Sequence, residues 1–597
     1  MRGRGRGRAR LRPDDTPVPG GMRLTSDSGT RLVAAGSVLV GGSPARVLRL
    51  TAAGARQVAS WFAGTPVPSG AGARALARRL LDAGIAHPDF SALRGPQGGS
   101  GVAAPPSAAG SATVTPDAGT TPDAGATLGA DAMLGAHPLR YPVTADVTVV
   151  IPVRDRHAEL ARCLSGLRDL PHVIVVDDAS ADPLAIKRIA AEHGAAVIHR
   201  PVNGGPGAAR NTGLSAAGTD IVAFLDSDCV PRPRWLEKLL PHFADPAVGA
   251  VAPRIVPHEE GTSWLARYEG ASSTLDMGGR PSIVRPGALV SYVPGAALVV
   301  RRTAAGDGFR DGMYVGEDVD FVWRMDAAGW RVRYEPGAVM GHDHRVAFRA
   351  WFSRRVDYGT SAADLEKLHP GVVRPLYASW WTVGAWAAAL SGRPVTAAAL
   401  TTTAIALLAR RLSRVTGERW PLPAPDPGTR PPLPDNSNKR SRRLPLSVIV
   451  DRWERHRPRN DPSSWPQAVP HLDNSNKRWW PARPRGSAAW RLAIGLAGGG
   501  TIAAARPLGS AVSRTWWPVA VPAALAVPKL RLPVAALVLV PPLLDWAGRR
   551  PPLDPARYVA ARLLDDAAYS VGVWQGCLAR RTVRPLLPAI GGKRPSG

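Results

Sequence analysis

A chain of 597 residues with a formal net charge of +28 is too long for one hydrophobic core and basic enough to be drawn to polyanions. The surplus lies in "MRGRGRGRARLR" and in clusters after residue 400, away from the acidic central motifs. That distribution argues against one long nucleic-acid face and leaves phosphorylated substrates and anionic lipid. Cys163, Cys229 and Cys577 lack metal-ligand spacing, which excludes a zinc cluster and a disulfide framework and suits a reduced, cytosol-facing protein.

In chain order, residues 1–20 read as a basic disordered tail; no apolar core follows, so no secretory signal is expected. Residues 21–94 read as a small winged-helix-like module. Two β-prone runs flank the Gly-Gly-Ser-Pro turn of "TRLVAAGSVLVGGSPARVLRLT", and "TAAGARQVASWFAG" and "GARALARRLLDAGI" predict two helices. Residues 95–140 are rich in Gly, Ala, Ser, Thr and Pro, and predict a flexible linker.

Residues 143–370 alternate strands with helices. "VTVVIPV", "HVIVVDD", "AAVIHRP" and "IVAFLDSD" are the strands, and the pattern predicts an α/β domain with a mostly parallel, Rossmann-like sheet. Its ligand is expected at the carboxyl ends of those strands. Residues 371–420 hold apolar helical segments, 421–486 a polar disordered insertion bracketed by two copies of "DNSNKR", and 487–597 apolar and amphipathic helices. Each apolar run is shorter than the roughly 20 residues that cross a bilayer. Two readings compete, short tilted or re-entrant membrane segments and helices packed together on the surface; the flanking arginines favour the first, at the cytoplasmic face. The last segment, "LDPARYVAARLLDDAAYS", opens with an Asp-Pro start signal and has the pattern of an interfacial helix.

The chemistry sits in "DIVAFLDSDCV". Side chains alternate along an extended backbone, so Asp226 and Asp228 should share a side. Paired carboxylates there suit Mg²⁺ or Mn²⁺, which combine few protein oxygens with substrate phosphate. Asp177 and Asp178 end another strand, and "NGGPGAARNTG" places Asn203, freed glycine N–H groups and Arg210 where an anionic diphosphate would bind. Glu317 and Asp318 open a helix that carries Arg324; a carboxylate there can deprotonate an attacking hydroxyl. His342 or His344 offers an imidazole to complete a metal site.

The ordered set "VVIPVRDR", "VVDDAS", "GAARNTG", "FLDSD" and "GEDVDFVWRM" resembles family 2 glycosyltransferases with the GT-A fold. The resemblance implies that Asp177 and Asp178 contact the base and ribose of a nucleotide-sugar. Pro152, Arg154, Asn203, Arg210, Asp226 and Arg324 complete its binding site. Asp226 and Asp228, with His342, would hold the metal; Asp318 would be the general base, with Glu317 beside it. "FVWRM" stands where processive members carry Q-x-x-R-W, so processivity is not implied.

The N-terminal module resembles domains that bind leader peptides, implying a peptide or maturation-protein partner. Together with "YGTSAADLEKLHP" it is similar to the glycosyltransferases of mycofactocin systems. That similarity implies UDP-glucose as donor and a premycofactocin-type acceptor. Two alternatives stand beside it: an enzyme building lipid-linked or cell-wall glycan at the membrane, and a non-catalytic peptide-binding adaptor.

Overall fold

The computed structural model describes residues 16–33, 36–91, 139–344, 346–416, 490 and 493–591. Most of the basic tail and the expected linker, and the whole 421–486 insertion, lie outside the described residues. The N-terminal module comprises β1 (Arg23–Ser26), β2 (Arg31–Val33), β3 (Val38–Gly41), β4 (Arg46–Arg49), α1 (Ala52–Phe62), α2 (Ala71–Asp82) and β5 (Ala86–Asp89). β2, β3 and β4 form an antiparallel sheet, and β1 pairs with β5. Where two β-runs were expected there are three strands, because the first run folds back at Gly36, whose φ of +85° suits a residue without Cβ. Leu24, Leu39, Val58, Trp61, Leu80 and Leu81 fill the module's own core.

Charge, not apolar area alone, docks this module on the central domain. Arg78 on α2 is bidentate to Asp245 at 2.7 and 2.8 Å. Arg331 of the central domain is bidentate to Asp82 at 2.8 Å for both bonds. Arg78, Arg331 and Asp245 are all buried. Removing one partner of such a pair strands a charge away from water. The module is therefore a seated part of the molecule, not a loosely tethered reader.

The central domain contains β6 (Val147–Val153), α3 (His157–Ser165), β7 (Val173–Asp178), α4 (Pro183–Glu192), β8 (Ala196–Arg200), α5 (Gly205–Ala216) and β9 (Ile221–Leu225). These strands are parallel and lie in the order β8-β7-β6-β9. All seven residues of β6 are buried, the reason its sequence is apolar without alternation. The sheet continues through β10 (Cys229–Pro231), β11 (Val248–Pro257), β12 (Ser282–Val284), β13 (Ala297–Arg301) and β14 (Arg331–His342). Its order runs β10-β14-β11-β13-β9-β6-β7-β8, with β12 on β14. Around it lie α6 (Trp235–Leu239), α7 (Trp264–Ser272), α8 (Glu317–Ala327) and α9 (Phe348–Leu368). Strand order reverses between β6 and β9, the switch point where open α/β sheets bind ligands.

The helix Pro555–Ala579 begins as its Asp-Pro signal predicts, with Asp554 accepting the Arg557 N–H at 2.9 Å. Its expected interfacial position is not what is found. It packs along α9, where a Cβ on Gly572 would sit 1.9 Å from the Val356 carbonyl oxygen. Across this contact, Arg355 pairs with Asp565 at 3.0 Å and with Glu269, while Tyr268 donates to Asp565 at 2.9 Å. The acidic pair in "RLLDDAAY" is thus an internal tie.

The apolar runs are also longer than expected. Pro394–Ser413 and Pro528–Arg549, 20 and 22 residues, are long and apolar enough to cross a membrane, and their apolar windows are only 11% and 6% buried. The second continues through Pro533, Pro541 and Pro542.

Gly572→Ala is expected to force α9 and its partner helix apart at a backbone contact. A loss of about 1–3 kcal/mol follows from such overpacking, measurable by denaturant or thermal melting; a wild-type midpoint would show that the crossing relaxes freely.

Candidate active site

β9 ends at Leu225, and Asp226–Asp228 lie on the turn that follows, closed by a 3.0 Å hydrogen bond from Cys229 N–H to the Asp226 carbonyl. Strand alternation is therefore not what places the two carboxylates; the turn does. Asp226 is anchored by its own N–H to Ala296 O at 2.9 Å. Both acids stand at the β6–β9 switch point.

Arg210, on α5, is 2% exposed. Its guanidinium donates to Asp226 Oδ1 at 2.6 Å and to Glu317 Oε1 at 2.9 Å, and it lies over the Phe309 ring at 5.3 Å. Expected to reach a diphosphate, it is instead occupied by two carboxylates and acts on any ligand through them. Glu317 and Asp318 begin α8, where acidic residues complement the helix N-terminus. Asp318 Oδ2 accepts the Gly295 N–H at 2.7 Å, and Oδ1 its neighbour's N–H, from Val319, at 2.8 Å. Gly295 is a spacer: a Cβ there would stand 3.0 Å from Asp318 Cβ and 3.3 Å from Arg210 Cζ. Burial, with the charge of Asp318, raises the Glu317 carboxyl to about 7 against the pull of Arg210.

Asp228 faces Arg156, which donates to Oδ2, and His342, whose Nε2 is 3.4 Å from Oδ1. Burial disfavours its charge, but His342 and Arg156 outweigh that and hold it below the usual carboxylate range. The β10–β14 pairing sets this meeting by placing Cys229 opposite His342. His342 Nδ1 and His344 Nε2 are buried without a hydrogen-bond partner among the described residues. Burial and the neighbouring charges of His342 and Arg355 lower His344 to about 4, so its ring is neutral near pH 7. Two carboxylates and an imidazole fit Mg²⁺ or Mn²⁺ if a diphosphate supplies further oxygens. Among the described residues no three His, Cys, Asp or Glu side chains form a ready-made cage.

Arg156 was missed by sequence reasoning, which chose Arg154 from the same "VRDR". Arg154 is exposed and, among the described residues, reaches only Asp155, at 3.6 Å. Which arginine of a loop turns inward depends on the turn, and Asp155 has φ +58°. Pro152 is buried in β6 opposite Val176.

Asp177 and Asp178 end β7, which is separated from β9 by β6 and is not its neighbour. Asp177 accepts from Ser180 N–H at 3.0 Å and pairs with the His199 ring at 2.8 Å. Burial opposes its charge, yet these bonds hold it below the ordinary range. Asp178 takes the N–H groups of Gly204 and Gly205 at 3.1 and 2.8 Å, and Asn203 also accepts from Gly205 at 3.0 Å. The amides expected to cradle a diphosphate at the start of α5 are thus capped from within the protein. Arg324 is likewise committed, to Asp320 and to the Gly308 carbonyl at 2.8 and 2.6 Å, and is not brought to the Asp226–Asp228 rim.

The model of Glycosyl transferase family 2 matches residues 148–306. The pre-mycofactocin glycosyltransferase of Mycobacterium tuberculosis is 34% identical over 585 residues, 96% of this chain and 99% of its own length. The chain belongs to family 2 of the glycosyltransferases. It is an enzyme of that class with a GT-A central domain, and the adaptor alternative falls. Glycosyltransferase AglE of Haloferax volcanii is 27% identical over 213 residues, covering 33% of this chain and 67% of the relative. The solved structure of the mannosyltransferase PcManGT from Pyrobaculum calidifontis matches with 23% identity and a TM-score of 0.30, over 46% of this chain and 84% of that one. The family match stops at residue 306, so Glu317 and Asp318 are tied to the rim by geometry.

Glu317 generates a pH test. Its folded value of about 7 exceeds the ordinary 4.5, so the fold favours the neutral acid. That contribution is complete below pH 4.5 and is lost as pH rises through 7. Glu317→Gln, which does not titrate, should gain on the wild type between pH 5 and 8 by on the order of 3 kcal/mol. Paired melting curves across that range would show it; a pH-independent gap would place Glu317 in the ionised state throughout.

Proposed function

We propose that the enzyme is an inverting, metal-dependent glycosyltransferase that moves glucose from UDP-glucose to pre-mycofactocin. The observation that carries the chemistry is the single buried guanidinium of Arg210, which ties Asp226 after β9 to Glu317 at the start of α8. Asp318 is thereby kept beside the two-acid turn. The acceptor follows from the near full-length similarity to the pre-mycofactocin glycosyltransferase.

Asp318 takes the proton of the acceptor hydroxyl as that oxygen attacks the anomeric carbon. The bond from that carbon to the diphosphate breaks, its electron pair leaves with UDP, and the configuration inverts. Two backbone N–H groups on Asp318 fix its direction, while each oxygen keeps a lone pair. Asp226, Asp228 and His342 would hold Mg²⁺ or Mn²⁺, which when bound supplies positive charge toward the diphosphate. Arg156 adds a cation on the Asp228 side. Asp177 and Asp178 at the end of β7 are assigned to the base and ribose.

The helices Pro394–Ser413 and Pro528–Arg549 support association with a membrane, which this reading assigns to its cytoplasmic face. They also favour a second reading, transfer to a lipid-linked or cell-wall glycan acceptor. Glucosylation of a lipid acceptor with none of pre-mycofactocin would select that reading.

Asp318→Asn is expected to retain UDP binding while turnover falls by roughly 10²–10⁴; full turnover would remove Asp318 as the base. Asp228→Ala should abolish Mn²⁺-stimulated UDP-glucose turnover, and a variant still stimulated by Mn²⁺ would displace the metal from this turn. In a flotation assay with anionic vesicles, the protein should rise with the lipid; recovery at the bottom of the gradient would refute membrane association.

A further inference from the structure

Beside Asp318, the C-terminal half of the chain builds a wall that the family motifs do not contain. Four contacts bring it there. A Cβ on Gly316 would stand 3.0 Å from Ser361 Cβ, so α9 lies against the turn that opens α8. At the next crossing, a Cβ on Gly359 would stand 2.1 Å from the Tyr569 carbonyl, placing the helix Pro555–Ala579 beside Tyr358. Arg514, in the helical stretch Val512–Trp516, lies over the Tyr569 ring at 4.4 Å, and Arg354 of α9 lies over Tyr358 at 5.0 Å. Tyr292, three residues before the Gly295 whose N–H holds Asp318, lies close enough to this group for the charges of Arg514 and Asp318 to act on it.

The polar ends of this wall are not used up by the fold. Tyr292, Tyr358, Tyr569, Arg354 and Arg514 are half-buried, neither sealed in the core nor on the open surface. Among the described residues, the Tyr292 and Tyr569 hydroxyls make no hydrogen bond to protein, and Arg514 makes only a 3.7 Å ion pair with Asp566. The charges acting on Tyr292 are those of Arg514 and Asp318, with the Tyr569 and Tyr358 hydroxyls nearby, and burial raises its own hydroxyl to about 12. It is thus a neutral donor next to the general base. Tyrosine rings with the two unpaired hydroxyls of Tyr292 and Tyr569, beside a guanidinium held only at 3.7 Å by Asp566, suit a flat ring that carries oxygen substituents.

We propose that Tyr292, Tyr358, Tyr569 and Arg514 form the acceptor subsite, which binds an acceptor through a flat ring face and directs its hydroxyl to Asp318. The inference rests on the glycosyl-transfer reading above and adds where the acceptor lies. It also gives the C-terminal helices a part in specificity: without Arg514 and Tyr569 one side of the subsite is missing.

The test uses the full chain and the variants Tyr569→Leu, Arg514→Gln and Tyr292→Phe. Pre-mycofactocin binding is measured by calorimetry and its KM by transfer from UDP-glucose, alongside UDP affinity in Mn²⁺. The expected result is acceptor affinity weakened about tenfold or more in the first two variants. For Tyr292→Phe, which removes one hydroxyl, a loss of about fivefold is expected. UDP affinity should stay within about twofold of wild type in all three, since stacked acceptor contacts leave the nucleotide pocket untouched. Unchanged acceptor affinity in folded variants overturns the inference. So does a parallel fall in acceptor affinity, UDP affinity and melting temperature, which is the mark of a structural role. Wild-type protein that binds no UDP would count against the donor reading instead, and the acceptor calorimetry still decides the subsite.

Discussion

One buried cation organises the site. Arg210 is bonded to Asp226 and Glu317 and lies within the influence of Asp318. A guanidinium with 2% exposure is tolerable only because carboxylates meet it on both forks, and those carboxylates are tolerable only because it is there. Around this exchange, α5 is fixed against α8, the turn after β9 is fixed against α5, and Asp318 receives its place as the next residue on α8. Hydrogen bonds to Gly295 and Val319 then set its direction. The reacting geometry is therefore a consequence of how internal charges are neutralised.

The same physics operates twice more at longer range. Arg78–Asp245 and Asp82–Arg331 seat the N-terminal module on the sheet domain, reciprocally, with each partner contributing one arginine and one aspartate. Glu269, Arg355 and Asp565 tie α7, α9 and the helix Pro555–Ala579 together. Buried charge pairs contribute little net stability but penalise mispairing heavily, so these ties serve to hold the parts in one arrangement. The module, the GT-A domain and the C-terminal helices are then held as one unit, with the apolar helices Pro394–Ser413 and Pro528–Arg549 left largely uncovered.

Local pattern carried the α/β core a long way. The four apolar runs are β6, β7, β8 and β9, and the acids that follow them stand at the carboxyl ends of the sheet, as expected of a parallel domain. Glu317 and Asp318 do open a helix. What misled were inferences from neighbours in sequence to neighbours in space. Arg154 was preferred to Arg156, Arg324 was expected at the rim but closes on Asp320, and the glycine amides before α5 are used by Asp178. The last helix, read as interfacial from its amphipathic pattern, buries Asp565 against Arg355 and Tyr268, and Asp566 against Ser513. A helix whose polar stripe meets buried arginine looks, in sequence, the same as one whose stripe meets water.

By itself, the order of residues determined the class of domain, the carboxylates available to it and the helix starts, because strand burial and capping depend on residues a few positions apart. Only the folded chain decided which carboxylate meets which cation, that β6 lies between the two acidic strand ends, and that Arg514 and Tyr569 come together against α9. Those meetings depend on how helices and strands far apart in sequence cross at glycine contacts and neutralise one another's charge, a constraint that no stretch of neighbouring residues contains.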